Sequence, residues 1–182
     1  MKTVELAFAV GWAVFWLYWL FAAFSMKHGH VQWSRSLGAR AVIAVVVILL
    51  VRSGTFRHHL LSWDPSLAGL GLALFAFGLG FAVWARVNIA SNWGTPMTKK
   101  EKPELVTTGP YRRVRHPIYS GILLGGIGTA IALDWLWLIV VGVVGAYFIY
   151  SAVVEERYMT EQLPDSYPAY KRSTKMMVPF VL

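Results

Sequence analysis

Hydrophobic positions in this chain run unbroken over lengths that fit a bilayer. Residues 6–26, 65–85 and 135–154 contain no Asp, Glu, Lys or Arg, and each matches the about 20 residues a helix needs to cross roughly 30 Å of hydrocarbon. The pattern predicts a first span over 4–26, rich in Trp12, Trp16, Tyr18 and Trp19. A second apolar core, 41–51, is short and sits between Arg40 and Arg52. If those arginines snorkel to the headgroups, a span over 36–56 results; otherwise the segment is a re-entrant or interfacial helix. Asp64-Pro65-Ser66 is a helix-start signal, and the third span runs from there to about Ala85. Gly69, Gly71, Gly78 and Gly80 offer it close helix contacts. Residues 118–154 carry one charge, Asp134. As one helix this stretch would measure about 55 Å, too long for a single crossing. It must fold back at Asp134 into spans over 117–133 and 135–154. Gly121, Gly125 and Gly128 suit the fourth span to tight packing. The expected fold is all-α: a polytopic bundle of about five transmembrane helices forming one domain over 1–182.

Composition agrees with this reading. The chain has 182 residues, is 57% hydrophobic and has a mean hydropathy of +0.52. A formal net charge of +8 would suggest nucleic acid in a soluble protein, but here Lys and Arg flank spans and no soluble basic module remains. No nucleic-acid partner is expected. The absence of cysteine excludes disulfides, cysteine-ligated metals and a thiol nucleophile, and no metal site is expected. The first apolar stretch exceeds the about 7–15 residues of a signal-peptide core, so it reads as an uncleaved span. The 86–116 connection alone carries seven Lys or Arg. With the basic 27–40 connection and C-terminal tail, it places the N-terminus outside and the C-terminus in the cytosol. The membrane would be the inner membrane of a bacterium or the endoplasmic reticulum of a eukaryote. The sequence sets no oligomeric state.

Two polar clusters stand out at the edges of the final hairpin. Gly109-Pro110-Tyr111-Arg112-Arg113-Val114-Arg115-His116-Pro117-Ile118-Tyr119-Ser120-Gly121 crowds arginines, a histidine and tyrosines against the start of the fourth span. Glu155-Glu156 stands where the last apolar run ends. Both clusters face the cytosol in the topology above. Basic and aromatic groups at a membrane surface suit an anionic or mixed-charge ligand.

Residues 85–180 resemble the isoprenylcysteine carboxyl methyltransferase family of integral membrane enzymes. The resemblance rests on Asn92-Trp93, Leu105-Val106-Thr107-Thr108-Gly109-Pro110-Tyr111, Arg115-His116-Pro117-x-Tyr119-x-Gly121 and Glu155-Glu156. Leu163-Pro164-Asp165-Ser166-Tyr167-x-x-Tyr170 and Val178-Pro179 complete it. Pro164-Asp165 stands where relatives often carry Phe-Gly. The resemblance implies methyl transfer from S-adenosylmethionine, with S-adenosylhomocysteine as product, to a lipophilic acceptor, typically the carboxylate of a prenylated cysteine. The cofactor would enter from the cytosol, its site lying within 85–182, and the acceptor would enter from the bilayer. Alternatives are a phospholipid-amine or small-thiol methyltransferase, an NADPH-dependent reductase of the sterol type, and a non-catalytic membrane scaffold.

The candidate cofactor-binding residues are Tyr111, His116, Pro117, Tyr119, Glu155, Glu156, Tyr167 and Tyr170; the candidate catalytic residues are Arg115 and Glu156. The cofactor carries a sulfonium, an amine and a carboxylate, so its site needs both charge signs and aromatic faces. His116 is a candidate for the cofactor's carboxylate, or else an interfacial histidine satisfied by water. Pro117 can open the fourth span without losing a hydrogen bond. Arg115 can orient an acceptor carboxylate in a bidentate fork, while Arg112 and Arg113 suit lipid phosphates. Tyr111 and Tyr119 are either belt aromatics or pocket walls; Tyr167 and Tyr170 either anchor the tail or cover the cofactor. Glu155 and Glu156 point about 100° apart on a helix, so at most one faces a pocket squarely. The family pattern favours Glu156.

Overall fold

The computed structural model describes residues 2–23, 29–31, 45, 64–93, 98–100 and 104–178. Their chief elements are α1 (Lys2–Ala23), β1 (Gly29–Val31), α2 (Pro65–Ile89), β2 (Thr98–Lys100), α3 (Pro117–Ala132), α4 (Trp137–Gln162) and α5 (Tyr167–Ser173). The architecture is helical, with one small antiparallel ribbon in which His30 pairs with Lys99. α1, α2 and α4 are long and apolar enough to cross a membrane, and α3 is a shorter apolar helix. The expected span over 36–56 lies, apart from Val45, outside the described residues.

Local chemistry fixes the helix ends. The Asp64 carboxylate accepts from the backbone N–H of Ser66 at 2.7 Å, with Pro65 in the first turn, so the cap satisfies a donor that has no intrahelical partner. At the hairpin, Asp134 is 2% exposed and accepts from Leu136 N at 2.8 Å. The lone charge marks the turn because its carboxylate holds the turn's backbone.

Two boundaries differ from expectation. α2 continues beyond Ala85 to Ile89, carrying Arg86 at 3% exposure. A charge-free window ends too early here, because a buried guanidinium can stay helical when neighbouring carbonyls receive it. α4 likewise continues to Gln162, so Glu155 and Glu156 lie inside a helix and not at its end. Long side chains that reach a polar neighbourhood let a helix run past its apolar core.

α2 and α3 are antiparallel and touch through glycine. A Cβ built on Gly78 would lie 2.5 Å from Gly125 N and 2.6 Å from Gly121 O; one on Gly71 would lie 2.5 Å from Gly128 O. Only hydrogen fits at such contacts. α1 packs across the pair, with Phe8 and Trp12 against Phe75, and Trp12 donates to Thr129 Oγ1 at 3.2 Å.

Candidate active site

The site lies at one end of the bundle, where α1, α2 and α4 finish and α3 begins. Gly109, with φ +57°, starts a 3-10 turn over Gly109–Arg112. Glycine suits that conformation because it carries no Cβ penalty. The chain then pairs with its own tail: Arg115 N donates to Lys175 O at 2.8 Å and His116 N to Met176 O at 2.9 Å. Ser120 Oγ adds a bond to Met177 O at 2.6 Å. Pro117 opens α3 and is fully buried. The start of α3 is therefore held by residues near the C-terminus, nearly 60 positions away in sequence.

The two adjacent glutamates divide. Glu156, 2% exposed, receives Arg115 Nε at 2.6 Å and Lys171 Nζ at 2.8 Å. Glu155, with its side chain 25% exposed, accepts from the Tyr119 hydroxyl at 2.6 Å. The His116 ring lies between them: Nδ1 is 3.5 Å from Glu155 Oε2 and Nε2 is 3.4 Å from Glu156 Oε1. The Nε2 contact is close but lacks hydrogen-bond geometry, and that buried atom has no hydrogen-bond partner among the described residues. His116 stacks parallel to Tyr119, at 5.4 Å and 3°, and Tyr119 stacks on Phe148 at 4.3 Å and 9°.

A cavity of about 300 Å³ opens beside this cluster. At its polar end stand His116, Tyr119, Glu155, Tyr111, Tyr167 and Tyr170; at its apolar end Trp16, Trp19, Ile89, Trp93, Ile118 and Ile122. Trp16 is 48% exposed on α1, so the apolar end reaches the outer face of a helix long and apolar enough to cross a membrane. Tyr170 donates to the Tyr111 carbonyl at 2.7 Å and lies edge-on to Tyr167. Burial pushes the Tyr170 hydroxyl up to about 12, and burial raises Tyr111 and Tyr167 as well. All three hydroxyls are neutral donors near pH 7.

Two expected roles change. Glu156 does not line the cavity; Glu155 does. The rotation of α4 turns Glu156 toward Arg115 and Lys171, whose charges offset the cost of burying it. Arg115 lines the cavity but is no open fork. Nε is bound to Glu156, while Nη1 donates to the carbonyls of Lys171, at 3.1 Å, and Thr174. The guanidinium ties α4 to the tail. Pro117 also stands behind the wall and shapes the start of α3 without lining the cavity. Arg112 and Arg113 are exposed.

Several cavity residues carried no site signal in sequence. Trp16 and Trp19 lie on the first span, where interfacial tryptophans are common. Phe148 and Tyr158 look like ordinary helix residues. Glu104, which accepts from Asn92 Nδ2 at 2.9 Å, stands in an undistinguished charged stretch. Because α1 contributes to the wall, the cavity is not confined to 85–182.

Known proteins resemble this arrangement. The cobalt-zinc-cadmium resistance protein CzcN of Cupriavidus metallidurans is 28% identical over 142 residues, covering 74% of this chain and 61% of that protein. The protein-S-isoprenylcysteine O-methyltransferase of Saccharomyces cerevisiae is 37% identical over 87 residues, covering 46% of this chain and 36% of its own length. The solved structure of the eukaryotic intramembrane Ras methyltransferase, isoprenylcysteine carboxyl methyltransferase, shares the fold with a TM-score of 0.60 at 22% identity, over 78% of this chain and 52% of that one. The chain thus spans less than two thirds of the length of each. Residues 67–166, more than half of the chain, match the phospholipid methyltransferase family, and the protein belongs to that family.

Proposed function

We propose that this protein transfers a methyl group from S-adenosylmethionine to a lipophilic acceptor, foremost the carboxylate of an isoprenylcysteine-type substrate. The observation that carries the reading is the single cavity that joins a polar end at Glu155 and His116 to an apolar end at Trp16 and Trp19. Membership of a methyltransferase family and the names of relatives such as the yeast enzyme support it. The 182 residues act as one membrane domain, with the polar end facing the cytosol, as the basic connections suggest.

The residues present fit the cofactor. A partly exposed carboxylate, Glu155, the His116 ring and the stacked rings of Tyr119 and Phe148 line one space. When bound, S-adenosylmethionine supplies an electrophilic methyl group on a sulfonium. Glu155 receives the cofactor's amine or ribose hydroxyls, and Tyr119 holds that carboxylate in place. The His116 ring stands at the cofactor's carboxylate, and the aromatic walls of the cavity favour positive charge by about 0.5–2 kcal/mol. Tyr167 and Tyr170 cover the polar end and exclude water. Arg115, Glu156 and Lys171 keep the covering segment attached.

An acceptor carboxylate is already ionised near neutral pH and needs no base. The chain then acts by holding the two reactants in line, an effect that can reach about 7–11 kcal/mol. An amine or thiol acceptor would have to lose a proton, and His116, set between two carboxylates, is the group positioned to take it. A sterol-type reductase finds less support, because a 2′-phosphate calls for available cations. Among the described residues that line the cavity, the only Lys or Arg is Arg115, already tied to Glu156.

Calorimetry on purified protein in detergent tests the reading. S-adenosylhomocysteine should bind, NADPH should not, and His116→Ala should weaken the first about tenfold, the worth of one charge-assisted hydrogen bond. A folded, monodisperse sample that binds NADPH and not S-adenosylhomocysteine would reverse the assignment.

A further inference from the structure

Arg86 is buried at 3% exposure in the last turns of α2, and none of the chemistry proposed above uses it. Its guanidinium joins three segments. Nη2 donates to Ala22 O near the end of α1, Nη1 donates to Ala90 O just past α2, both at 2.6 Å, and the charge lies 4.8 Å from the Trp93 ring centre. The Ala22 carbonyl belongs to the last turn of α1 as described, and the negative end of a helix dipole favours a cation there. Ala90 has φ +48°, a conformation costly for a residue with a Cβ, which persists only where the surroundings impose it. That turn swings the chain so that Trp93 meets Trp19 edge-on at 5.7 Å. Trp19 and Trp93 are both walls of the cavity's apolar end.

We propose that Arg86 is a positioning residue for the methyl acceptor. By tying the ends of α1 and α2 together behind Trp93, it fixes the indole wall against which the acceptor's hydrocarbon part lies. The inference rests on the proposed methyl transfer and assigns the apolar end to the acceptor's chain. His116, Tyr119 and Glu155 belong to a separate network on α3 and α4, so loss of Arg86 acts on the acceptor and spares the cofactor.

The test uses the full chain in detergent, with N-acetyl-S-farnesylcysteine as acceptor probe and S-adenosylhomocysteine binding measured by calorimetry. Arg86→Met should raise the acceptor KM about tenfold, the factor that one hydrogen bond to a charged group carries. Its kcat should fall less, and the S-adenosylhomocysteine Kd should stay within about twofold, since the contacts of Arg86 with Ala22, Ala90 and Trp93 lie on α1, on α2 and just past it, and not on α3 or α4. Arg86→Lys keeps the charge but loses the fork that reaches two carbonyls, so it should fall between. Trp93→Ala should reproduce the KM effect, and the double variant should be no worse than the more affected single one, because both changes act through one wall. If Arg86→Met does not fold, Arg86→Lys and Trp93→Ala carry the same comparison. A cofactor Kd that rises with the acceptor KM overturns the proposal, as do additive effects in the double variant. Wild-type protein that binds S-adenosylhomocysteine but methylates a small water-soluble thiol, leaving the farnesyl probe untouched, overturns this inference and leaves the methyltransferase reading standing. Absence of S-adenosylhomocysteine binding by the wild type overturns both.

Discussion

Where Gly78 faces Gly121 and Gly125, α2 and α3 meet backbone to backbone; at the first turn of α3, Arg115, His116, Glu155, Glu156 and Lys171 meet through long polar side chains. The first region has one geometry, because removing every Cβ leaves no side-chain rotamer to choose. It holds α3 rigidly but offers no chemistry. The second region draws on α3, α4 and the tail, and each group's role depends on which partner it meets. Glu155 and Glu156 differ by one helical step, yet one faces the cavity and the other is consumed by two cations. The close pair fixes where α3 begins, and the rotation of α4 against it decides which glutamate meets the cavity.

The comparison breaks most readily at the glycines. Gly78→Val should eliminate the folded species, since the new side chain meets backbone and the overpacking cost should exceed about 3 kcal/mol. Gly80 and Gly69, which have nothing within 4 Å of an added Cβ, serve as controls. Gly80→Ala should change the melting midpoint by the equivalent of no more than about 1 kcal/mol. Size-exclusion profiles and thermal melts in detergent read both. A Gly78→Val protein that melts like wild type would show that the close contact is dispensable.

The next largest effect belongs to the ion cluster. Glu156→Ala leaves the Arg115 guanidinium, 8% exposed, without its carboxylate. Breaking such a buried pair costs about 3–5 kcal/mol. Lys171 is half-exposed, and its share is largely screened by solvent. Thermal unfolding should therefore shift strongly for Glu156→Ala and little for Lys171→Met. Equal shifts would mean that Lys171, and not Arg115, anchors the tail.

These regions also differ in how far the sequence revealed them. The glycine face was legible in part: Gly71, Gly78, Gly121, Gly125 and Gly128 stand within uncharged runs and make the contact, whereas Gly69 and Gly80, expected to do the same, have nothing within 4 Å of an added Cβ. The hairpin was legible, because Asp134 is the single charge in a stretch too long for one crossing. The same reasoning put residues 109–121 and 155–156 on one side of the membrane, while the place of Tyr167 and Tyr170 was left open between anchoring the tail and covering the cofactor. The assignment within that cluster was not legible. Adjacent glutamates differ only by helix rotation, which packing sets and sequence does not display. Arg115 looked like an available fork because two of its partners are backbone carbonyls, of Lys171 and Thr174, and no residue pattern records a carbonyl. Arg86 looked like a loop cation because a span is counted until its first charge. Trp16 and Trp19 were hidden for the opposite reason: interfacial aromatics are common enough that a pocket wall looks like a belt.

A sharper contrast comes from the second glutamate. Glu155→Gln keeps the shape and an acceptor oxygen for the Tyr119 hydroxyl but removes the charge facing the cavity. Cofactor affinity should fall about tenfold, the difference between a charged and a neutral partner, with the melting midpoint nearly unchanged. Set against Glu156→Ala, it separates a group that binds from a group that holds. A Glu155→Gln protein that lost stability and kept cofactor affinity would exchange the two roles.

The smallest effect concerns the tail at Tyr170, whose hydroxyl donates to the Tyr111 carbonyl. Tyr170→Phe removes that bond and should cost about 1 kcal/mol at neutral pH. The pH dependence identifies the group. Burial pushes this hydroxyl up to about 12 from its ordinary 10, so the folded state holds the proton more tightly than the unfolded chain does. Its contribution is fully present below about pH 10, where both states are protonated. It declines as the unfolded hydroxyl ionises, and it is lost as pH rises through about 12. Thermal midpoints of wild type and Tyr170→Phe, measured in detergent at steps from pH 8 to about 12, should therefore converge in the alkaline range, because phenylalanine has no proton to lose. A gap between the two that stayed constant to the alkaline limit would place the stability of the tail in the ring packing of Tyr170 against Tyr167, and not in its hydroxyl.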